Sequence, residues 1–171
     1  RDASGRTNTE RGVMAESMED IRSVVPGLAN AACPLPEVLT GGQPAEAHLE
    51  ALARHGYRTV LDLRAPEEPR PFDEPEAANR LGLEYLNLPV TPETLTDETF
   101  ARFRDLMRDR GRRPVVVHCG SGNRVGAVLI PYLVLDEGKG MEEAMETALE
   151  VGLRSQELAE RAIDYVRRHL G

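Results

Sequence analysis

A cysteine and an arginine separated by four small residues can do covalent chemistry on an anionic group. Cys119 and Arg124 stand in that relation in Val115-Val-Val-His-Cys-Gly-Ser-Gly-Asn-Arg124. The thiolate is the nucleophilic form of cysteine, and N–H donors and positive charge close by favour it. Gly120, Ser121, Gly122 and Asn123 are small enough for their backbone N–H groups to converge on one point, which makes an anion-binding concavity. Arg124 adds a planar fork of donors that matches phosphate oxygens. These are the parts needed for nucleophilic attack on a tetrahedral anion. His118 is read as the residue that orients Cys119, because the period of a strand turns its side chain away from the substrate.

Positioning such a loop takes a strand before it and a helix after it. Val115 to Val117 has the look of a short strand buried on both faces of a sheet. The apolar run Val125 to Leu135 predicts a helix whose N-terminus adds partial positive charge to the site. Elsewhere, strands are expected at Val38-Leu39-Thr40, Tyr57 to Leu63 and around Leu86, Leu88 and Val90. Helices are expected after Pro44, closing at Gly56, over Glu74 to Leu81, and after a cap at Thr96-Asp97-Glu98-Thr99. Two further apolar stripes, one from Met141 to Leu149 and one from Leu158 to Leu170, predict two more helices. Strands alternating with helices imply an α/β fold: a single domain with a mostly parallel central sheet flanked by helices on both faces. In such sheets ligands bind beyond the carboxyl ends of the strands, and Arg64, the loop after Val90 and Cys119 all fall there.

The ordered motifs Thr40-Gly-Gly-Gln-Pro44, Thr59-Val-Leu-Asp-Leu-Arg64 and His118-Cys-Gly-Ser-Gly-Asn-Arg124 resemble the bacterial beta-lactamase-hydrolase-like phosphatases. These sit within the superfamily of dual-specificity and tyrosine phosphatases. The resemblance covers roughly residues 35 to 156. It implies a cysteine-phosphatase fold and a phosphomonoester hydrolase that works through a phosphocysteine intermediate, without metal or cofactor. Cys119 and Arg124 would be catalytic, and the loop Gly120 to Asn123 would bind phosphate. Two departures stand out. The usual loop of these phosphatases has five residues between Cys and Arg, and rhodanese-type sulfurtransferases share the four found here. Val125 occupies the position where many phosphatases carry a Ser or Thr that helps the thiolate leave.

A phosphatase of this class also needs a carboxylic acid to protonate the leaving oxygen. Glu93 and Asp97, on the segment after Val90, are the candidates, in that order. Asp62 is read as a structural hydrogen-bonding residue within its strand, and Glu67 and Glu68 as part of a solvated acidic loop. Arg64 is expected either to assist anion binding or to pair with a nearby acid, and Arg154 to lie on the surface. Cys33 is a small residue near the Gly-Gly-Gln-Pro turn, and a reversible disulfide with Cys119 is conceivable if the two approach. No His spacing suggests a metal site.

At 171 residues, 40% hydrophobic and 29% charged, the chain suits one globular domain. Residues 1–30 are expected to be a polar, partly disordered segment ahead of a phosphatase-like domain at 31–171. The net charge of −8 argues against a nucleic-acid partner. The substrate class is instead a phosphorylated protein or small molecule, drawn in by local features. The longest apolar run has 11 residues, too short to span a bilayer. The sequence begins at Arg1, which fits a cytoplasmic protein or one exported after loss of a signal. Two rival functions share the motif: a rhodanese-like sulfurtransferase with a persulfide on Cys119, and a phosphate-binding module without turnover.

Overall fold

The computed structural model describes residues 21–170; most of the polar segment expected at the start lies outside them. Two short strands, β1 (Ala32–Leu35) and β2 (Val38–Gly41), precede α1 (Glu46–Arg54). β3 (Thr59–Asp62), α2 (Glu74–Arg80), β4 (Glu84–Asn87) and α3 (Asp97–Arg108) follow. β5 (Val115–His118) then leads into α4 (Asn123–Leu135), α5 (Met141–Val151) and α6 (Gln156–His169). The sheet order is β1-β2-β5-β3-β4. β5 lies at the centre, parallel to both β2 and β3, and β4 is parallel to β3; β1 alone runs antiparallel, against β2. This is the mostly parallel α/β sheet that the alternation of strands and helices implies.

Strand parity divides the interior into two cores. Val38, Leu61, Val115 and Val117 face one way, against Phe100, Phe103, Leu129, Ala148 and Val166 of the helices α3 to α6. Leu39, Val60 and Val116 face the other way, against Leu49 and Leu52 of α1 and Ala78 of α2. Val25 and Leu28 are buried in this second core, so the packed unit begins ahead of residue 31. The all-valine stretch of β5 is buried throughout because helices cover both its faces.

Several local choices agree with the sequence. Thr96 caps α3 by accepting from Thr99 N–H, and Ser155 caps α6 by accepting from Leu158 N–H at 3.2 Å. The helix after the loop starts two residues earlier than its apolar run, at Asn123, and continues through Pro131. It is buried without a break from Val125 to Leu133, the pattern of a helix enclosed by others. β1 is the element the periodicity does not predict. Pro34 sits within its four residues, and proline is tolerated there because β1 is an edge strand. Beyond β4 the chain stays beside β3: Leu88 N–H bonds Asp62 O and Val90 N–H bonds Leu63 O, each at 2.9 Å. Among the described residues no helix is long and apolar enough to cross a membrane.

The α4–α5 contact depends on the lack of a side chain at Gly126. A Cβ there would lie 2.8 Å from both Ala148 O and Leu153 Cβ. Alanine in place of a helical glycine ordinarily gains about 1 kcal/mol, but overpacking costs about 1–3 kcal/mol. Gly126→Ala is therefore expected to lower the urea midpoint of unfolding at unchanged m-value. A raised midpoint would show that the two helices can part at no cost.

Candidate active site

At the end of β5, strand parity sends two neighbouring side chains to opposite faces. Cys119 joins the core beneath α4, whereas His118 turns to the face carrying Asp62 and Glu74. Both are fully buried. The loop that follows is shaped by what its carbonyls bind. Cys119 O accepts from His118 Nδ1 (3.3 Å), Gly120 O from Gln43 N–H (3.2 Å), and Ser121 O from Asn30 Nδ2 (2.6 Å). Carbonyl and N–H of a trans peptide point in opposite directions. Tying three successive carbonyls outward therefore turns the N–H groups of Gly120, Ser121 and Gly122 inward. The last of these is seen doing so: Gly122 N–H donates to Cys119 Sγ at 3.0 Å.

Gly122 is required at this turn. Its φ of +95° lies in the left-handed region, and a Cβ would collide with Val151 O. α4 begins at the next residue, so its N-terminus closes the loop. Asn123 contributes differently from its neighbours, because its side chain faces the α5–α6 connection. Its Oδ1 accepts from the N–H groups of Arg154 (2.7 Å) and Ser155 (3.0 Å).

Arg124 meets a carboxylate that the sequence reading left in solvent. Its Nη1 and Nη2 donate to the two oxygens of Glu68 at 2.8 and 3.0 Å, and Nη1 also reaches Val90 O at 3.3 Å. Glu68 further accepts from Ala65 N–H (2.6 Å) and Arg64 Nε (3.3 Å). Arg124 above all, with the Ala65 and Arg64 donors, holds the Glu68 carboxyl down at about 2 despite partial burial. Arg64 thus pairs with an acid, one of the two roles its position allowed. The signal for Glu68 was its place four residues past Arg64, at the end of a central strand.

Behind the loop lies a buried polar cluster. Glu74 Oε2 sits 2.5 Å from His118 Nε2, and Glu74 Oε1 accepts from Gln43 Nε2 at 2.6 Å. Asp62 Oδ1 accepts from Arg64 N–H (2.9 Å); Asp62 Oδ2 accepts from Arg70 Nε (2.9 Å) and Nη2 (2.7 Å) and from Tyr85 OH (2.6 Å). Asp62 is the structural hydrogen-bonding residue its strand position suggested. Ligand atoms of Asp62, Glu74 and His118 lie within 4.8 Å of one another. Every carboxylate oxygen among them is engaged by a donor, and a cation would have to displace Arg70 and Tyr85. The chemistry of the donor set is that of a hydrogen-bond network.

The two acid candidates separate. Asp97 is exposed at the first turn of α3 and accepts from Arg168 Nη1 and Nη2 at 2.6 and 2.7 Å, which lowers its pKa. Glu93 is exposed on the turn just after Val90, whose carbonyl touches Arg124. Val125 is fully buried in the core. Arg154 is on the surface. Cys33 and Cys119 are free thiols in different cores, Cys33 with its pKa raised by burial.

A central parallel strand delivers a buried cysteine into a tight loop closed by an arginine and a helix N-terminus, an arrangement that fits a cysteine-dependent phosphatase. The sequence model of the family described as PTP-NADK, a DSP-PTPase phosphatase fused to NAD+ kinase, matches residues 34–164. The chain belongs to this phosphatase family. It is 30% identical over 99 residues to a beta-lactamase hydrolase-like protein of Agrobacterium fabrum, a match that covers 56% of this chain and 23% of that protein. The chain therefore spans only about a quarter of that relative's length. Among solved structures, a DUF442 protein from Shewanella putrefaciens superposes with a TM-score of 0.72 at 19% identity, over 86% of this chain and 98% of that one. TpbA of P. aeruginosa, in a complex with pTyr, gives 0.60 at 22% identity over 83% of this chain and 90% of its own. At these identities the two structures bear on the fold.

The Glu68–Arg124 pair has a pH signature. An unfolded glutamate titrates near ~4.3, and the folded value is about 2. A depressed folded pKa means that the pair's stabilisation is complete above the unfolded pKa and is lost as pH falls through the folded one. Wild type is therefore expected to lose stability relative to Glu68→Gln on going from about pH 5 to about pH 2. Urea midpoints at several pH values across that window measure it. Parallel pH dependences would remove Glu68 as an acid-labile tie.

Proposed function

We propose that the chain hydrolyses phosphomonoesters through a phosphocysteine on Cys119. The observation that carries this reading is the orientation of the loop: three outward carbonyls, with Gly122 N–H on Cys119 Sγ. The N–H groups of Gly120, Ser121 and Gly122, with the Arg124 guanidinium, surround the place a phosphoryl group would take above sulfur. Such fixed donors strengthen as charge moves onto the equatorial oxygens in the transition state. Asn123 belongs to the loop through its backbone, at the start of α4.

The reaction runs in two steps. The Cys119 thiolate attacks phosphorus, the phosphorus–oxygen bond to the leaving group breaks, and that oxygen takes a proton from a carboxylic acid. Water then attacks the phosphocysteine, giving its proton to the same carboxylate, and the sulfur–phosphorus bond breaks to return thiolate and phosphate. Val125 offers no hydroxyl to the departing sulfur. The Gly122 N–H, already on Sγ, supplies a hydrogen bond there instead. His118 keeps Cys119 O turned outward and so acts on the loop, not on the proton.

Glu93 is the acid of this reading. Asp97 is drawn into its pair with Arg168, and Glu68 is held ionised by Arg124. Glu93→Gln is expected to slow hydrolysis of alkyl phosphates by about 10²-fold or more, and p-nitrophenyl phosphate much less, because its leaving group scarcely needs a proton. Equal losses on both substrates, or none, would take Glu93 out of the role.

The substrate is a phosphorylated protein or small molecule. The exposed Gly120 and Ser121 leave the loop open at the surface, which suits a phosphoryl group carried on a bulky molecule such as a phosphotyrosine peptide. Cys119→Ser is expected to abolish turnover while inorganic phosphate still binds, since N–H groups and Arg124 remain. Rapid quenching with labelled p-nitrophenyl phosphate should trap label on sulfur in the wild type. Label transferred from thiosulfate instead would assign the site to sulfur transfer. Binding without any turnover would make it a phosphate-binding module.

A further inference from the structure

We propose that Gln43 and Glu74 are positioning residues for this reaction, joining His118 to Arg124 through an unbroken run of hydrogen bonds that holds nucleophile loop and clamp in one geometry. The inference rests on the reading of Cys119 as nucleophile and Arg124 as clamp. From His118 Nε2 the run passes to Glu74 Oε2 (2.5 Å) and from Glu74 Oε1 to Gln43 Nε2 (2.6 Å). Gln43 Oε1 then accepts from Arg64 Nη1 (2.9 Å), and Arg64 Nε donates to Glu68 Oε1 (3.3 Å). Arg124 Nη2 donates to that same oxygen at 3.0 Å. Four separate segments of the chain meet in it: the turn after β2, the loop after β3, the start of α2, and the loop after β5.

The chemistry of each member fits a positioning role. Gln43 must donate to a carboxylate and accept from a guanidinium at once, which an amide does and neither a carboxylate nor an apolar side chain can. Its own N–H also holds Gly120 O outward, so one residue touches both the loop and the run. Glu74 is fully buried at the first turn of α2, where a glutamate would ordinarily face water. It lies against His118, whose Nδ1 must carry hydrogen in order to donate to the Cys119 carbonyl. The two Glu74 oxygens bind His118 Nε2 and Gln43 Nε2 on either side, which an apolar side chain could not do. Removing Glu74 would free the His118 ring, release the Cys119 carbonyl and let the Gly120 N–H turn out of the cradle. Cutting at Gln43 would loosen Arg64, and through it the Glu68 carboxylate that orients Arg124.

The test uses the full chain and three readouts: alkylation of Cys119 by iodoacetate at pH 6.5, the Kd of inorganic phosphate, and kcat and KM for p-nitrophenyl phosphate. Glu74→Leu and Gln43→Leu, each shown to unfold cooperatively, are expected to lower kcat about tenfold or more and weaken phosphate binding several-fold, with slower alkylation. The double variant should lose less than the product of the two single losses, because the two side chains bond each other directly. Wild-type alkylation, phosphate affinity and kcat in folded Gln43→Leu would overturn the proposal, as would losses that multiply in the double variant. Gln43 is only half-buried, so it decides the matter if Glu74→Leu does not fold. Failure of the underlying phosphatase reading shows separately in the wild type, as alkylation that phosphate does not slow.

Discussion

The planarity of the peptide bond is the constraint on which the site depends. A loop of four residues cannot aim its N–H groups one by one; it can only rotate whole peptide planes. Three carbonyls are bound from outside, by His118, by Gln43 N–H and by Asn30, and the N–H groups face inward as a consequence. The proposed anion cradle is thus shaped by residues that lie outside the loop. Two of the three holders lie far away in sequence, which is why the turn after β2 and the segment before β1 belong to the site as much as the loop does.

Electrostatics act locally in this protein. The chain carries a net charge of −8, a field that opposes an approaching phosphate at long range. At the site the balance differs, with Arg64 and Arg124 against Glu68, and Arg70 against Asp62. Burying a carboxylate or an ammonium-sized cation costs several kcal/mol unless partners replace its water. Asp62 and Glu74 meet that demand fully, since donors from Arg70, Tyr85, Arg64, Gln43 and His118 occupy their oxygens. Such a network has few alternative arrangements, because any change strands a charge in the interior. That rigidity suits the proposed reaction, in which the donors are fixed before substrate arrives.

The two faces of the sheet divide the labour. On the Cys119 face, α4 is surrounded by α3, α5 and α6 and fixes where the loop ends, with Gly122 and Gly126 admitting the α5 end at close range. On the His118 face, α1 and α2 pack apolar residues low on the strands and place Gln43 and Glu74 at the strand ends. A strand with strict alternation would expose one of these faces. Valines at 115, 116 and 117 make both apolar, and the polar residue enters only at His118.

Much of this is written locally. Three valines, a glycine-rich turn and an apolar run must form strand, loop and helix, because valine suits a doubly covered strand and glycine a left-handed turn. The Thr96 cap and the apolar stripes of the later helices follow from nearest-neighbour hydrogen bonds and from a period of 3.6. The proposed nucleophile and clamp could be nominated for the same reason, being separated by four residues of one loop. What the sequence did not disclose are long-range pairings. β1 lacked any period because an edge strand tolerates Pro34, and only its pairing with β2 makes it a strand. Glu68 read as a solvated acid because nothing near it says that Arg124, 56 residues on, will take both its oxygens. Glu74 read as an ordinary helix start, since burial against His118 depends on how α2 crosses the sheet. The residue types and the loop were fixed by local chemistry; which carboxylate meets which base was decided by packing, because burial alone chooses among many acids of equal local propensity.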